Sequence, residues 1–175
     1  MSAAINGLIP AGQKAPSFAL PAAGLADAGR ARDVTLPDPQ SPGLSLIIFF
    51  KNTCPTCRLT LPFTQRLHDA LAPSGGRVYG VSQDGDEGAR SLARELGLTL
   101  PILVDGENFP VSRLYDLVSV PTLYLVSPDG TIARSGAGFS KSGLEAMAAD
   151  MADSLNAPRP SIFMDGENVP ESKPG

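Results

Sequence analysis

The chain has 175 residues, 42% of them hydrophobic, which is enough for one domain with an ordinary packed core. Its 14 Lys and Arg against 18 Asp and Glu leave a net charge of -4 with no basic cluster, so binding to a nucleic-acid backbone is set aside. No apolar run reaches the roughly 18 residues of a membrane span, the start "MSAAINGLIPAGQKAP" lacks the features of a secretory signal, and two cysteines are too few for a disulfide scaffold. With Met1 as the natural start the protein is expected in the cytoplasm; a chain that has lost a leader would be periplasmic or otherwise extracytoplasmic.

The first 43 residues are rich in Gly, Pro and Ala, and predict an irregular arm with a small hairpin, Phe18 to Leu20 and Val34 to Leu36, covering a sheet edge. "LSLIIFF", Leu44 to Phe50, is a continuous apolar run of strand length, the pattern of a strand buried on both faces. From Cys54 to Ala72, Phe63, Leu67, Ala70 and Leu71 recur at helical spacing, with Pro62 expected to kink the helix. A strand at Arg77 to Ser82 is followed by a helix with Ala89, Leu92, Ala93 and Leu96 on one face and Gly97 at its end. Pro101 to Asp105 predicts a short strand, and Val111, Leu114, Tyr115 and Val118 an apolar helical stripe.

Beyond it, Leu123 to Val126 and Thr131 to Arg134 flank an Asp129-Gly130 turn as a hairpin. The last helix opens with Ser142 and Glu145 in capping-box spacing and is expected to bury Leu144, Met147, Ala148, Met151 and Leu155. Alternating strands and helices closed by a hairpin and a helix give an α/β or α+β three-layer pattern. Residues 156–175 hold four prolines and no usable periodicity, and are read as a tail. "DGENFP" at 105–110 returns as "DGENVP" at 165–170, a coincidence of turn-forming residues; neither hexad supplies the oxygen ligands of a calcium loop.

The two cysteines stand three apart in "NTCPTC", at the junction of the buried strand and the first long helix. Cys54 lies where first-turn N–H groups and the helix dipole stabilise a thiolate, which suits it as a nucleophile. Cys57, one turn on and on the same face, is placed to attack a mixed disulfide formed on Cys54. A metal clip would need two further ligands; there is no second CxxC, and the sole histidine, His68, lies on the same helix and is expected to be solvated. No metal or other cofactor is expected.

The arm "GQKAPSFALP", the junction "FFKNTCPTC", Pro62, the extra strand and helices between residues 77 and 118, and "VPTLYLVSPDGTI" together resemble the thioredoxin-like thiol-disulfide oxidoreductases of the redoxin (alkyl hydroperoxide reductase/thiol-specific antioxidant) superfamily. The resemblance covers about Gly12 to Leu155. It implies an α/β thioredoxin fold with an N-terminal extension and a central strand-helix insertion, residues 1–155 forming the domain and 156–175 the tail. It further implies a redox-active Cys54 and Cys57, a cis Pro121, and a Val120 whose backbone pairs with the substrate. Thr53 and Pro55 flank the nucleophile and are expected to touch substrate; Lys51, three residues before Cys54, could tune its thiolate electrostatically. The implied partners are a disulfide-containing protein or a small thiol substrate, together with a reductant the sequence does not name.

Three positions depart from the family pattern. Thr53 stands where relatives carry Trp, Thr60 where many exported members have a glutamate, and Ile48 where thioredoxin has a buried aspartate, so neither common proton carrier is present. Rival readings on the same fold are a peroxiredoxin, a copper-binding chaperone and a non-catalytic interaction domain. A peroxiredoxin site requires Thr or Ser and Pro where either register gives Lys51 and Ile47, or Cys54 and Phe50. A copper site requires a histidine in a distant loop, and His68 is on the first helix. Some proteins resembling this one continue past a similar Lys-Pro-Gly with a further cysteine or selenocysteine. Such a group would require the tail from Asn156 to fold back toward Cys54; otherwise the tail is a covering arm.

Overall fold

The computed structural model describes residues 7–24 and 33–175. Five strands, β3 (Ser45–Phe50), β4 (Arg77–Ser82), β5 (Ile102–Val104), β6 (Thr122–Val126) and β7 (Ile132–Ala137), form one sheet in the order β5-β4-β3-β6-β7. β3 runs parallel to β4 and antiparallel to β6. The apolar run at 45–50 becomes the central strand because it can bury side chains on both faces. Leu46, Ile48 and Phe50 face one cluster with α1 (Pro55–Leu71), α2 (Asp86–Leu96) and α4 (Lys141–Ser154). Ile47 and Phe49 face the other, with Tyr79, Tyr124, the short α3 (Pro110–Leu114) and the hairpin of β1 (Phe18–Leu20) and β2 (Val34–Leu36). The result is the expected three-layer α/β thioredoxin fold.

The N-terminal arm covers both ends of the sheet. Ala22 bridges to Leu103, with Ala23 N–H donating to the Ile102 carbonyl, while Gly12 and Gln13 exchange backbone hydrogen bonds with Ile132. The sheet thereby presents less open backbone than five strands alone would. Phe18, Leu20 and Leu36 close the second core over Phe49 and Tyr115, whose rings lie 5.1 Å apart.

Three expectations are corrected. The stripe Val111, Leu114, Tyr115, Val118 does not form: α3 ends at Leu114, Asp116 turns the chain at φ 50°, and Leu114 and Val118 are 50% and 78% exposed. The last helix is capped by Ser140, which accepts from Gly143 N–H, because a strand β8 (Phe139–Ser140) runs straight into α4; Ser142 is already helical. The tail carries a strand of its own, β9 (Ser172–Lys173), paired antiparallel with β8.

Residues 156–175 turn back after α4, where Asn156 takes φ 52°. Ile162 is buried, and the Phe163 ring lies 4.6 Å from Phe63 of α1. Arg66 donates to the Ile162 carbonyl and grips both carboxylate oxygens of Glu167. The chain then crosses α1 toward its N-terminus. The two hexads have unlike surroundings: the Asp105 carboxylate is buried, accepting from Val111 N–H, Ser112 N–H and the Ser112 hydroxyl, whereas Asp165 is exposed.

Candidate active site

β3 ends at Phe50, and after three intervening residues the chain enters α1 with Cys54 as its N-cap. Cys54 takes extended backbone angles, φ -84° and ψ 113°, and its Sγ accepts the Cys57 N–H at 3.1 Å. This is the capping geometry usually filled by a Ser or Asp oxygen, with sulfur in its place. Pro55, which has no N–H to satisfy, occupies the first helical position. The α1 dipole therefore points its positive end at Cys54 Sγ.

Cys54 is half-buried and Cys57 fully buried, one turn inward. Burial pushes the Cys57 thiol well above its usual range; its hydrogen bond with Cys54 and the nearby Asp84 carboxylate push the same way, and the Lys51 backbone opposes them. Thr53 and Pro55 are exposed on either side of Cys54. The Lys51 side chain is exposed as well, and what ties this residue to the site is its carbonyl, which accepts Cys54 N–H at 3.2 Å.

Across from the cysteines runs the loop before β6. The Val120-Pro121 bond is cis, and the Cys54 thiol donates to the Val120 carbonyl at 3.4 Å. Pro121 in turn offers its carbonyl to Gly138 N–H at 2.8 Å, which joins this loop to β8. Residues 66 positions apart in sequence, Cys54 and Val120, thus share one surface.

A set of polar residues that the sequence did not single out holds the loop before Cys54. Asp84 accepts Asn52 N–H at 2.7 Å, Asn52 Nδ2 donates to the Gly88 carbonyl, and Arg58 donates to the Asn52 carbonyl at 3.1 Å. The available signal was the position of Asp84 just past the carboxyl end of β4, beside the end of β3, where parallel strands gather functional loops. Thr60 and Ile48, the positions at which the sequence departs from the expected proton carriers, are buried; the Thr60 hydroxyl donates to the Thr56 carbonyl. His68 is half-buried rather than solvated, and its Nδ1 has no hydrogen-bond partner. Among the described residues no group of three or more His, Cys, Asp or Glu is gathered to hold a metal.

The tail also arrives here. The Thr56 hydroxyl donates to the Pro174 carbonyl at 2.7 Å, and a β-carbon added to Gly175 would stand 2.3 Å from the Val120 oxygen.

Residues 11–135 match the model of the AhpC/TSA family. The chain belongs to that family. It is 28% identical over 153 residues to a thiol-disulfide oxidoreductase ResA from Oceanobacillus iheyensis, covering 86% of this chain and 78% of the relative. It is 24% identical over 136 residues to the sporulation thiol-disulfide oxidoreductase A of Bacillus subtilis, covering 75% and 79% respectively. The solution structure of a thiol:disulfide interchange protein from Bacteroides sp. superposes with a TM-score of 0.67 at 21% identity, over 86% of this chain and 93% of that one. Within the AhpC/TSA family, then, this chain is a thioredoxin-fold thiol-disulfide oxidoreductase. Among the described residues no helix is long and apolar enough to cross a membrane.

Proposed function

We propose that the protein exchanges its Cys54–Cys57 dithiol with disulfides of polypeptides, Cys54 attacking and Cys57 resolving, with the backbone at Val120 and Pro121 as the docking edge. The observation that carries this reading is the position of Cys54 Sγ, capped by Cys57 N–H at 3.1 Å and facing the Val120 carbonyl at 3.4 Å. Cys54 as thiolate attacks one sulfur of the substrate disulfide. A bond forms between Cys54 and that sulfur, the substrate S–S bond breaks, and the departing thiolate takes up a proton. Cys57 then gives up its proton and attacks Cys54 Sγ, releasing the second substrate thiolate and leaving the Cys54–Cys57 disulfide. A dithiol reductant reverses these steps and restores the enzyme.

Burial of Cys57 supports the division of labour: a thiol held neutral in the apolar interior waits while the accessible one reacts. The exposed Thr53 and Pro55 are the side chains a docked substrate would meet first, and Lys51 adds a positive charge at the end of β3. Brief alkylation of the reduced protein followed by peptide mapping tests the assignment. The label should fall on Cys54, and insulin reduction should be lost in step with it. Labelling of Cys57 first would overturn the reading.

A further inference from the structure

We propose that residues 172–175 occupy, in cis, the strand site in which a substrate polypeptide docks, so that substrate must displace the tail to reach Cys54. The proposal rests on the reading of Val120 as the docking edge. The site has three parts. β8 lends its backbone to Ser172 and Lys173 in antiparallel pairing, Thr56 offers its hydroxyl to the Pro174 carbonyl at 2.7 Å, and Gly175 lies against the carbonyl of Val120. That carbonyl is also the acceptor of the Cys54 thiol. Main chain is packed on main chain here: a β-carbon at Gly175 would come within 2.3 Å of Val120 O, and one at Gly138 within 2.6 Å of Lys173 O.

The recognised chemistry is therefore that of an extended polypeptide, taken up by strand addition. It would run antiparallel to Phe139–Ser140, turn a carbonyl to Thr56 and set a small residue beside Val120. The tail is built to compete and to yield. Upstream, Ile162, Phe163 and the Arg66–Glu167 pair fasten it to α1 and so keep its end at high local concentration. Residues 172–175 are themselves exposed and held by one short ladder and one hydroxyl, which an incoming strand can replace.

The test compares the full chain with a chain ending at Glu171 and with Gly175→Ala, which keeps the length but inserts a methyl group against Val120. Two readouts are taken: insulin reduction with dithiothreitol as terminal reductant, and alkylation of Cys54 by a long polymer maleimide against iodoacetamide. Truncation should lower the KM for insulin at least about threefold, speed the polymer reagent by a like factor and leave iodoacetamide nearly unchanged. Gly175→Ala should move both readouts the same way. Peptide Glu-Ser-Lys-Pro-Gly added to the truncated chain should slow the polymer reagent again. An unchanged or raised KM together with unchanged polymer alkylation would overturn the proposal. Alkylation needs no turnover, so tail-dependent labelling in a protein that reduces no insulin would sink the functional reading and leave the tail contact standing.

Discussion

Asn52 and Asp84 are joined by a 2.7 Å hydrogen bond from the Asn52 N–H to Asp84 Oδ2, and this bond fixes the loop that delivers Cys54. Its origin is the sheet register. Phe50 of β3 lies opposite Ser82 of β4, so two residues further along both chains the loop and the carboxylate still meet. The same carboxylate acts on Cys57.

Asp84→Asn should shift the resolving step to lower pH. The Asp84 charge raises Cys57, so its removal lowers that thiol's pKa, while the amide oxygen can still accept from Asn52. The effect should stay below about tenfold in rate, one pKa unit being 1.36 kcal/mol. The measurement is the decay of a mixed disulfide between Cys54 and a small aromatic thiol, followed from pH 6 to 10. Asp84→Leu, which also frees the Asn52 N–H, should in addition slow the first attack by Cys54. A profile for Asp84→Asn that stays in place would show that its charge does not reach the reacting thiol.

Cys57→Ser should trap substrate. With Cys54 intact and no resolving thiol, a disulfide between Cys54 and the substrate should accumulate, visible as a mass increase that reductant removes. Cys54→Ser should give no adduct and no insulin reduction. An adduct on Cys57 in the second variant would reverse the roles.

The reduced protein should lose stability relative to the oxidised one as pH rises above about 9. The folded pKa of Cys57 lies above its ordinary 9.0, so its contribution is complete below that value and declines as pH climbs past it, when the unfolded chain ionises first. The slope is at most about 1.4 kcal/mol per pH unit. The oxidised form carries no such thiol. Tyr115 and Tyr124, whose ionisation burial also delays, are present in both forms and cancel in the difference. Urea titrations of both forms between pH 7.5 and 10.5 give the comparison; parallel curves would refute it.

Ile162→Ala should destabilise the whole protein by about 2–5 kcal/mol, the range for truncating a buried aliphatic side chain. Ile162 is fully enclosed, and the neighbouring Phe163 packs on both Phe63 and Phe139. Glu167→Gln should cost less, because the carboxylate it replaces stays in part open to solvent and the amide oxygen can still accept from Arg66. Urea unfolding followed by far-UV circular dichroism reads both. A near-zero cost for Ile162→Ala would mean that residues 156–175 are an appendage outside the cooperative unit.

The strands, the long helices and the pair Cys54 and Cys57 could be read directly, because each depends on residues close in sequence. Buried strands announce themselves by apolar runs, helices by spacing, and a pair of thiols at a helix N-terminus by a motif four residues long. The cis bond at Pro121, and with it the meeting of Val120 and Cys54, was anticipated only through family resemblance, since nothing local marks this proline apart from an ordinary turn proline. Tertiary structure decided the rest. Asp84 joins the site because β4 pairs with β3 in one register, Ser140 caps α4 because β8 ends there, and Val118 is exposed because the chain turns at Asp116. The tail shows the limit best: four prolines in 156–175 carry no periodicity, yet Phe63, Arg66 and Thr56 along α1 guide it to the carbonyl of Val120. Periodicity records which face of an element is buried; which partners meet across the fold is set by contacts between residues far apart in the chain, and those leave no local pattern to read.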